Sequence, residues 1–410
     1  MQGHAISVFN IAMSDASFSW KKIIIPAFGP SALFGIGNGA ILPVIALSAI
    51  ELEASHAVSG LIVALIGFGS LISNIPAALI TSRYGERQSL IGASALTVFA
   101  LILCLVAGHP AVLALGVLII GMATSVFYLA RQTYLMEAVP VQMRARAFST
   151  LGGTQRIGMF IGPFAGAALM HFMGLAGAYV VAIIALTAAG ALSFALPELA
   201  PGTKAGSSGK AKPRPKMIDI ARTHKNVFLT LGVGILLISA MRAARQIAIP
   251  LWADDIGLSA TVTSVIFGLV SAIDMLVFYP AGKIMDHYGR LWVALPCSLI
   301  LGVALLAMPL TVTTGAFVVA CLLMGFGNGI GSGIVMTLGA DASPAHGRTE
   351  FLGIWRLISD IGTSAGPFLL SGLTALISLG AGIAVTGGFG FVAAALFWRW
   401  LPHRRPAREV

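Results

Sequence analysis

Six charged side chains lie inside long apolar stretches of this sequence, where they could bind an ion or carry a proton. They are Arg131, Arg156, Arg242, Arg245, Asp274 and Asp360, each several residues from the end of its stretch. A charge in the middle of a membrane helix costs about 2.5–3.5 kcal/mol on insertion scales, so such residues are expected to face a cavity or one another. The pattern therefore indicates a ligand pathway or structural ion pairs, and we favour the pathway.

The two aspartates are the candidates to take up a proton, because they are the only carboxylates within the apolar stretches. Burial favours the protonated form of a carboxylic acid, whereas a nearby arginine favours the ionised form. A substrate that displaces the arginine would therefore couple its own binding to that of a proton. Arg356 stands four residues before Asp360 and could form a local helical salt bridge with it. Asp274 has no arginine near it in the sequence, so we expect Asp274 to carry the proton.

The composition is that of a membrane protein. Of the 410 residues, 57% are hydrophobic and 10% are charged, whereas about a quarter are charged in soluble domains. A helix that crosses a bilayer needs about 20 mainly apolar residues. Twelve runs meet this requirement: 23–50, 58–80, 89–107, 110–135, 147–172, 176–196, 227–251, 261–282, 291–311, 314–339, 351–377 and 380–399. The sequence therefore predicts an all-α membrane protein with twelve transmembrane helices, numbered 1 to 12 in chain order.

The net charge of +10 does not indicate a nucleic-acid-binding surface, because the basic residues follow the predicted membrane topology. Basic residues fall in the loops on one side of the twelve-helix map. They are Lys21, Lys22, Arg83, Arg87, Arg144, Arg146, several residues of 204–225, Arg290, Arg348, Arg404 and Arg405. The six opposite loops contain no lysine or arginine. This positive-inside pattern predicts a multi-pass protein of the cytoplasmic (inner) membrane with both termini in the cytoplasm.

The chain contains one segment twice, 204 residues apart. Glu137, Arg144 and the tripeptide Gly162-Pro163-Phe164 recur as Asp341, Arg348 and the tripeptide at 366–368. The turn at 83–85 aligns with that at 287–289 by the same offset. The two copies run in the same direction along the chain, which indicates a duplication. We place the repeated acids and arginines in a cytoplasmic gate.

The duplication divides the chain into two bundles of six helices. Residues 1–200 form the first bundle, 201–225 a cytoplasmic linker and 226–410 the second bundle. Residues 201–216 are small, basic and rich in glycine and proline, which predicts a flexible segment, and Met217–His224 is expected to continue as a short helix on the membrane surface. Arg156 and Asp360 are equivalent under the offset, so they could approach each other across the pseudo-twofold axis.

The turn between helices 8 and 9 carries a charged motif. It reads G-K-I-M-D-H-Y-G-R from Gly282 to Arg290. Glycine permits a tight turn, and the acid can face the positive end of a helix dipole in the other bundle, which would lock a gate. The segment resembles the G-x-L-x-D-R-x-G-R motif of the major facilitator superfamily, with matches at Gly282, Asp286, Gly289 and Arg290.

The turn between helices 2 and 3 departs from that motif. Arg83, Gly85 and Arg87 are present, but Ser82 replaces the acid and Ala78 replaces the first glycine. We therefore assign the gate contact mainly to the second half of the chain.

A glycine-rich segment in helix 5 resembles a motif of exporters in the same superfamily. Residues 158–166 read G-M-F-I-G-P-F-A-G and resemble G-x-x-x-G-P-x-x-G-G without the last glycine. Gly158, Gly162 and Gly166 would allow close helix contact, and Pro163 would bend the helix at a hinge. A packed kink without directional meaning is the alternative.

The resemblance covers almost the whole chain and implies a central cavity lined by helices 1, 4, 7 and 10. The candidates to bind substrate there are Asn38, Arg131, Arg242, Arg245 and Asn328. The candidates to couple protons are Asp274, Asp360, Arg156 and Arg356.

We expect a secondary active transporter that exports small amphipathic organic compounds in exchange for protons, similar to drug/proton antiporters. The alternative is a symporter or facilitator for an organic anion, because four buried arginines exceed two aspartates. A receptor or scaffold that transports nothing is disfavoured by the duplication and the costly buried charge.

An enzyme is not expected. The G-x-S-x-G sequence at 362–366 lies in an apolar run, whereas a hydrolase needs it at a strand-to-helix turn. We expect no cofactor and no metal, and a monomer in the lipid bilayer.

Overall fold

The computed structural model describes residues 20–139, 143–196, 217–344 and 347–401. Every regular element in these ranges is a helix. We label the long helices α1 to α12: Trp20–Glu51, His56–Tyr84, Glu86–Leu105, Pro110–Ala138, Arg144–Met173, Ala176–Phe194, Lys225–Asp255, Ala260–Tyr288, Leu291–Leu310, Thr314–Ala342, Arg348–Leu376 and Leu379–Trp400. A short helix, Met217–Thr223, precedes α7 as predicted. The predicted flexible segment 201–216 lies outside the described residues.

The predicted all-α membrane fold is confirmed. Within the described ranges, eleven of these helices are long and apolar enough to cross a membrane. The remaining one, α11, is 29 residues long, and its two inner charges, Arg356 and Asp360, make it less apolar.

The duplication of the sequence is repeated in the packing of the helices. In the first half of the chain, α1 packs against α5 and α6, α4 packs against α2 and α3, and α3 also packs against α6. The second half has the same pairs six helices later: α7 with α11 and α12, α10 with α8 and α9, and α9 with α12. We call α1–α6 the first half and α7–α12 the second half.

Glycines at equivalent positions allow the same close approach in both halves. A Cβ atom at Gly162 of α5 would lie 2.7 Å from the backbone nitrogen of Ala40 and 2.9 Å from Cα of Gly39, both in α1. A Cβ at Gly366 of α11 would lie 2.8 Å from Cα of Ala240 in α7. Gly158 is equally close to α1, whereas a Cβ at Gly166 would have its nearest neighbour at 3.5 Å, an ordinary contact. Gly158, Gly162 and Gly366 thus allow two helices of the same half to pack with their backbones in contact.

The two halves meet where α2 contacts α11 and where α5 contacts α8. We name the two ends of the bundle after the chain segments found there. The linker side contains the turns at 85 and 289 and the helix Met217–Thr223. The far side contains the turns near 53 and 257. On the far side, His56 of α2 is 3.2 Å from Asp254 of α7. Nearer the middle of the bundle, Phe68 of α2 and Phe368 of α11 stack edge to face with ring centroids 6.3 Å apart. The far side is therefore closed by contacts between the halves.

Side chains on the linker-side ends of the same helices are exposed. Leu79 of α2 is 66% exposed and Tyr279 of α8 is 68% exposed. On α11, the Arg356 side chain is 69% exposed. These helices therefore carry exposed side chains at their linker-side ends, whereas the contacts between the halves named above lie at the far side and in the middle of the bundle.

One helix is interrupted in its middle. α10 is α-helical up to Ile330 and again from Ile334, with a turn at residues 331–333 between the two segments. Irregular backbone inside a membrane protein is tolerated where it is buried in protein or lines a cavity. The interruption therefore indicates that a binding site could lie at the middle of α10.

The contact at Gly162 gives a direct test of helix packing. We expect Gly162→Val to lower the melting temperature and the yield of monodisperse protein, because the side chain must push α5 away from α1 at a cost of about 1–3 kcal/mol. Gly152→Val is the matched control, since a side chain at this position of α5 would meet no atom within 4 Å. Equal stability of the two variants would show that the close approach is dispensable.

Candidate functional site

An ion pair joins the two halves near the middle of the bundle. Nη1 of Arg156, in α5, lies 3.3 Å from Oδ1 of Asp274, in α8. The two side chains are only 30% and 19% exposed. The Arg156 guanidinium also lies over the ring of Phe278, 4.5 Å from its centroid. The aromatic ring shields the pair on one side, and a charge interaction with little water around it is stronger than one at the surface.

Asp274 is held from α10 as well, at the interruption of that helix. Nδ2 of Asn328 donates to Oδ2 of Asp274 at 2.7 Å, and Oγ of Ser332 donates to Oδ1 at 3.3 Å. Three donors, one from α5 and two from α10, therefore surround this carboxylate.

Two arginines on α7 lie beside this pair. Arg242 and Arg245 are three residues apart and therefore share a face of the helix. Nη2 of Arg242 donates to Sγ of Cys297 at 3.8 Å. Among the residues that the structure describes, Nε and Nη1 of Arg245 are buried without a hydrogen-bond partner. The negative charge of Asp274 attracts the Arg245 guanidinium. A buried guanidinium with open donors is suited to bind an anion.

The first half contributes a second polar cluster. Nη1 of Arg131 donates to Oε1 of Gln155 at 3.1 Å, and Nε2 of Gln155 donates to the Tyr128 hydroxyl at 2.7 Å. Arg131 lies over the Tyr128 ring at 4.9 Å from its centroid, and Asn38 of α1 is a further hydrogen-bond partner of the hydroxyl. Nε of Arg131 is buried and has no partner within the described chain.

Consecutive residues of α5 connect the two clusters. Gln155 contacts Arg131 in the first half, and Arg156 contacts Asp274 in the second half. We call the whole set the central network. Its members are Asn38, Tyr128, Arg131, Gln155, Arg156, Arg242, Arg245, Asp274, Asn328 and Ser332. It contains four arginines and one aspartate, so its formal charge is strongly positive.

Most of the substrate and proton candidates predicted from the sequence belong to this network. The sequence allowed Arg156 to approach Asp360, but the structure pairs Arg156 with Asp274 instead. Asp274 has no arginine near it in the sequence, but α5 brings Arg156 into contact from 118 positions away in the chain. Asp360 pairs with Arg356 on its own helix, 3.8 Å apart, as the alternative local salt bridge predicted.

Three members of the network were missed by the sequence analysis. Tyr128, Gln155 and Ser332 are polar but uncharged, so burial in a membrane helix does not single them out as it does a charged side chain. Gln155 precedes Arg156, and Ser332 lies one helical turn after Asn328. Their positions beside predicted residues are the signal that could have identified them.

The predicted gate residues of the second half form a local cluster on the linker side. Nε and Nη2 of Arg290 donate to the two carboxylate oxygens of Asp341, at 2.6 Å and 3.3 Å. Gly289 has a φ of 100°, which favours glycine, in agreement with the predicted tight turn. A side chain at Gly282 would meet no atom within 4 Å, so close approach does not explain that glycine. Asp286 is exposed at the end of α8, and its contact with the first half remains a prediction.

The gate residues of the first half are arranged differently. Gly85 also has a positive φ, of 80°, and Arg83 lies over the Tyr84 ring at 5.5 Å. Nε of Arg144 donates to the carbonyl oxygen of Val139 at 3.1 Å, so Arg144 links the start of α5 to the end of α4. Glu137 is exposed near the end of α4. The roles predicted for Arg87 in the first half and Arg348 in the second remain predictions.

A sequence model of the Major Facilitator Superfamily matches residues 31–367 and 231–410. The chain belongs to this superfamily. Its family and fold are those of transporters, not enzymes, and the G-x-S-x-G sequence at 362–366 lies inside the helix α11. The protein is therefore a multi-pass membrane transporter.

Known members of the superfamily resemble this chain at low sequence identity. A Na(+), Li(+), K(+)/H(+) antiporter of Planococcus maritimus is 22% identical over 399 residues, which cover 90% of this chain and 93% of that protein. The crystal structure of a D-xylose-proton symporter has a TM-score of 0.73 at 16% identity, over 93% of this chain and 98% of that one. A bacterial homolog of the human lysosomal transporter Spinster has a TM-score of 0.74 at 13% identity, over 95% and 100%.

The two aspartates of the membrane helices should differ in their effect on stability. We expect Asp274→Ala to lower the free energy of unfolding by about 3–5 kcal/mol, because it leaves Arg156 buried without its partner. Asp360→Ala removes a partner from an exposed pair and should cost at most about 1 kcal/mol. Thermal unfolding of the purified variants in detergent measures the difference, and Asp274→Ala with Arg156→Leu should recover most of the loss. A larger effect at Asp360 would contradict the assignment of the central ion pair.

The two linker-side turns should also differ. We expect Asp286→Asn to slow transport in liposomes several-fold more than Ser82→Ala, because a serine hydroxyl carries no charge to oppose a helix dipole. The Ser82 hydroxyl is already bonded to the carbonyl oxygen of Leu79 in its own helix, at 3.0 Å. Equal rates for the two variants would contradict an asymmetric gate.

Proposed function

We propose that this member of the Major Facilitator Superfamily is a proton-coupled symporter of a small organic anion. The observation that carries the proposal is the surplus of positive charge around one carboxylate. Asp274 is the acceptor for Arg156, Asn328 and Ser332, while Arg245 beside it has buried donors without a partner among the described residues.

The arrangement supports one sign of coupling between proton and anion. An anion that binds to Arg156 and Arg245 competes with Asp274 for their positive charge. The released carboxylate then loses its stabilising partner, so its protonated form is favoured. By linkage, a proton on Asp274 must strengthen anion binding by the same factor. Anion and proton therefore bind together and cross together, which is symport.

The same exchange of partners would allow the halves to move. Arg156 belongs to the first half and Asp274 to the second, so their ion pair holds the middle of α5 to the middle of α8. Neutralisation of Asp274 by a proton removes this attraction. The far-side contact between His56 and Asp254 can then be exchanged for a linker-side contact as the halves rock. We place the linker side in the cytoplasm, on the positive-inside pattern.

Proton-driven export of amphipathic compounds is the second candidate. It is favoured by the glycine and proline pattern at 158–166 and by the relative from Planococcus maritimus, whose name describes an antiporter. Antiport requires that substrate and proton compete for one site. A cation at Asp274 would compete in this way, but it would have to enter beside Arg156 and Arg245. Repulsion by these arginines makes the anion the better substrate for this site.

Transport by the purified full-length protein in liposomes tests the proposal. With the outside acidic, we expect an organic anion to accumulate inside while the lumen acidifies, and we expect Asp274→Asn to retain exchange of the anion but lose accumulation. Asp360→Asn is the control, because its local pair with Arg356 lies outside the central network. Panels of anionic, zwitterionic and cationic amphiphiles, with Na⁺ and K⁺, should be compared. Uptake of a cation or neutral amphiphile with alkalinisation of the lumen would instead establish antiport.

A further inference from the structure

We infer that the substrate is a small dianion with an apolar spacer, bound by Arg131 in the first half and by Arg245 in the second half. The inference rests on the proposed anion transport and specifies the class of substrate. A linear dicarboxylate has this chemistry.

The partners of the four arginines divide them into two groups. Arg156 is neutralised by Asp274. Arg242 contacts Cys297 and lies against the interruption of α10, since a Cβ at Gly331 would be 2.5 Å from its Nη2. The carbonyl end of the segment Thr314–Ile330 favours a positive charge at that point.

Arg131 and Arg245 form the second group. Neither makes an ion pair in the described part of the chain, and both have buried guanidinium nitrogens without a hydrogen-bond partner there. Nε of Arg242 also has no partner among the described residues, but that guanidinium lies against the carbonyl end of Thr314–Ile330, which favours its charge. One of Arg131 and Arg245 belongs to each half. The central network thus presents two positive groups that neither an acid nor a helix end compensates, and a buried charge of this kind is unfavourable until an anion pairs with it.

Successive contacts within the central network lead from one of these arginines to the other. Arg131 is held by Gln155, and Arg245 lies within the electrostatic reach of Asp274, which is held by Arg156. Gln155 and Arg156 are consecutive, with Cα atoms about 3.8 Å apart. A ligand that reaches from one arginine to the other would therefore run along this part of α5.

Aromatic rings lie against two arginines of the central network. The Tyr128 ring lies under Arg131 and the Phe278 ring lies under Arg156, at 4.9 Å and 4.5 Å from the ring centroids. Apolar surface beside the cationic groups suits a molecule with charged ends and an apolar spacer better than a compact inorganic ion.

A dianion also has a mechanical advantage over a monoanion. When Asp274 is protonated, the ion pair that joins the halves is lost. A dianion bound to Arg131 and Arg245 connects the first half to the second in its place. A monoanion shared by Arg156 and Arg245 would also connect the halves, but it would leave Arg131 unpaired. The ligand that stabilises the closed, occupied state most is therefore the one that also pairs with Arg131.

Binding to the purified full-length protein at acidic pH tests the inference. The probes are the linear dicarboxylates from succinate to suberate and the monocarboxylate of equal chain length for each. We expect one length of dicarboxylate to bind at least about tenfold more tightly than its monocarboxylate. Arg131→Gln should reduce this preference to about twofold or less by weakening the dicarboxylate alone, whereas Arg245→Gln should weaken both ligands. Arg399→Gln, at the linker-side end of α12, is the control and should change neither.

The outcomes separate this inference from the proposed function. If monocarboxylates bind as tightly as dicarboxylates at every length, or if no dicarboxylate binds, the dianion is excluded. Anion-driven acidification of liposomes would in that case still support symport. If Arg131→Gln weakens mono- and dicarboxylates equally, the bridging role of Arg131 is excluded. If only cations are transported, both the inference and the proposed function fail.

Discussion

Charge buried in a membrane must be compensated by an opposite charge. In this protein a partly buried arginine of one half is compensated by an aspartate of the other half. Arg156 and Asp274 face each other across the interface of α5 and α8. Each would be costly to bury alone. Their pairing therefore makes the contact between the halves depend on the ionisation of one carboxylate. A proton or an anion that enters the site changes how strongly the halves attract each other, which is the requirement for coupling binding to movement.

The rest of the fold makes this ion pair possible by keeping each half rigid. Glycines at positions 204 residues apart bring α5 against α1 and α11 against α7, with backbone atoms in direct contact. The second helix of each half meets the fourth in the same way, since Gly121 lies against Ile66 and Gly325 against Val270. Close packing of this kind leaves little freedom within a half, so movement is concentrated at the interface between the halves.

The repeat preserves the packing but not the polar side chains. Position 156 of α5 is an arginine that reaches the other half, whereas its counterpart in α11 is Asp360, which pairs locally with Arg356. Asn38 of α1 corresponds to Arg242 of α7. α10 is interrupted at residues 331–333, whereas its counterpart α4 is one continuous helix over Pro110–Ala138. A symmetric scaffold therefore carries an asymmetric site, with most of the positive charge and the single central carboxylate in the second half and at its border.

The sequence by itself determined the helices, the duplication and the local geometry. Long apolar runs can satisfy their backbone groups in a membrane only as helices, so composition alone predicted the fold. The glycine turns at 85 and 289 and the pair of Arg356 with Asp360 followed from short spacings along the chain. Only the tertiary structure decided which arginine meets Asp274 and that Gln155 holds Arg131. These contacts depend on the rotation of each helix about its axis and on how far two helices slide past each other. A step of one position along a helix turns the side chain by about 100° around the helix axis. Small differences in helix packing therefore decide whether two charges that are distant in the sequence meet.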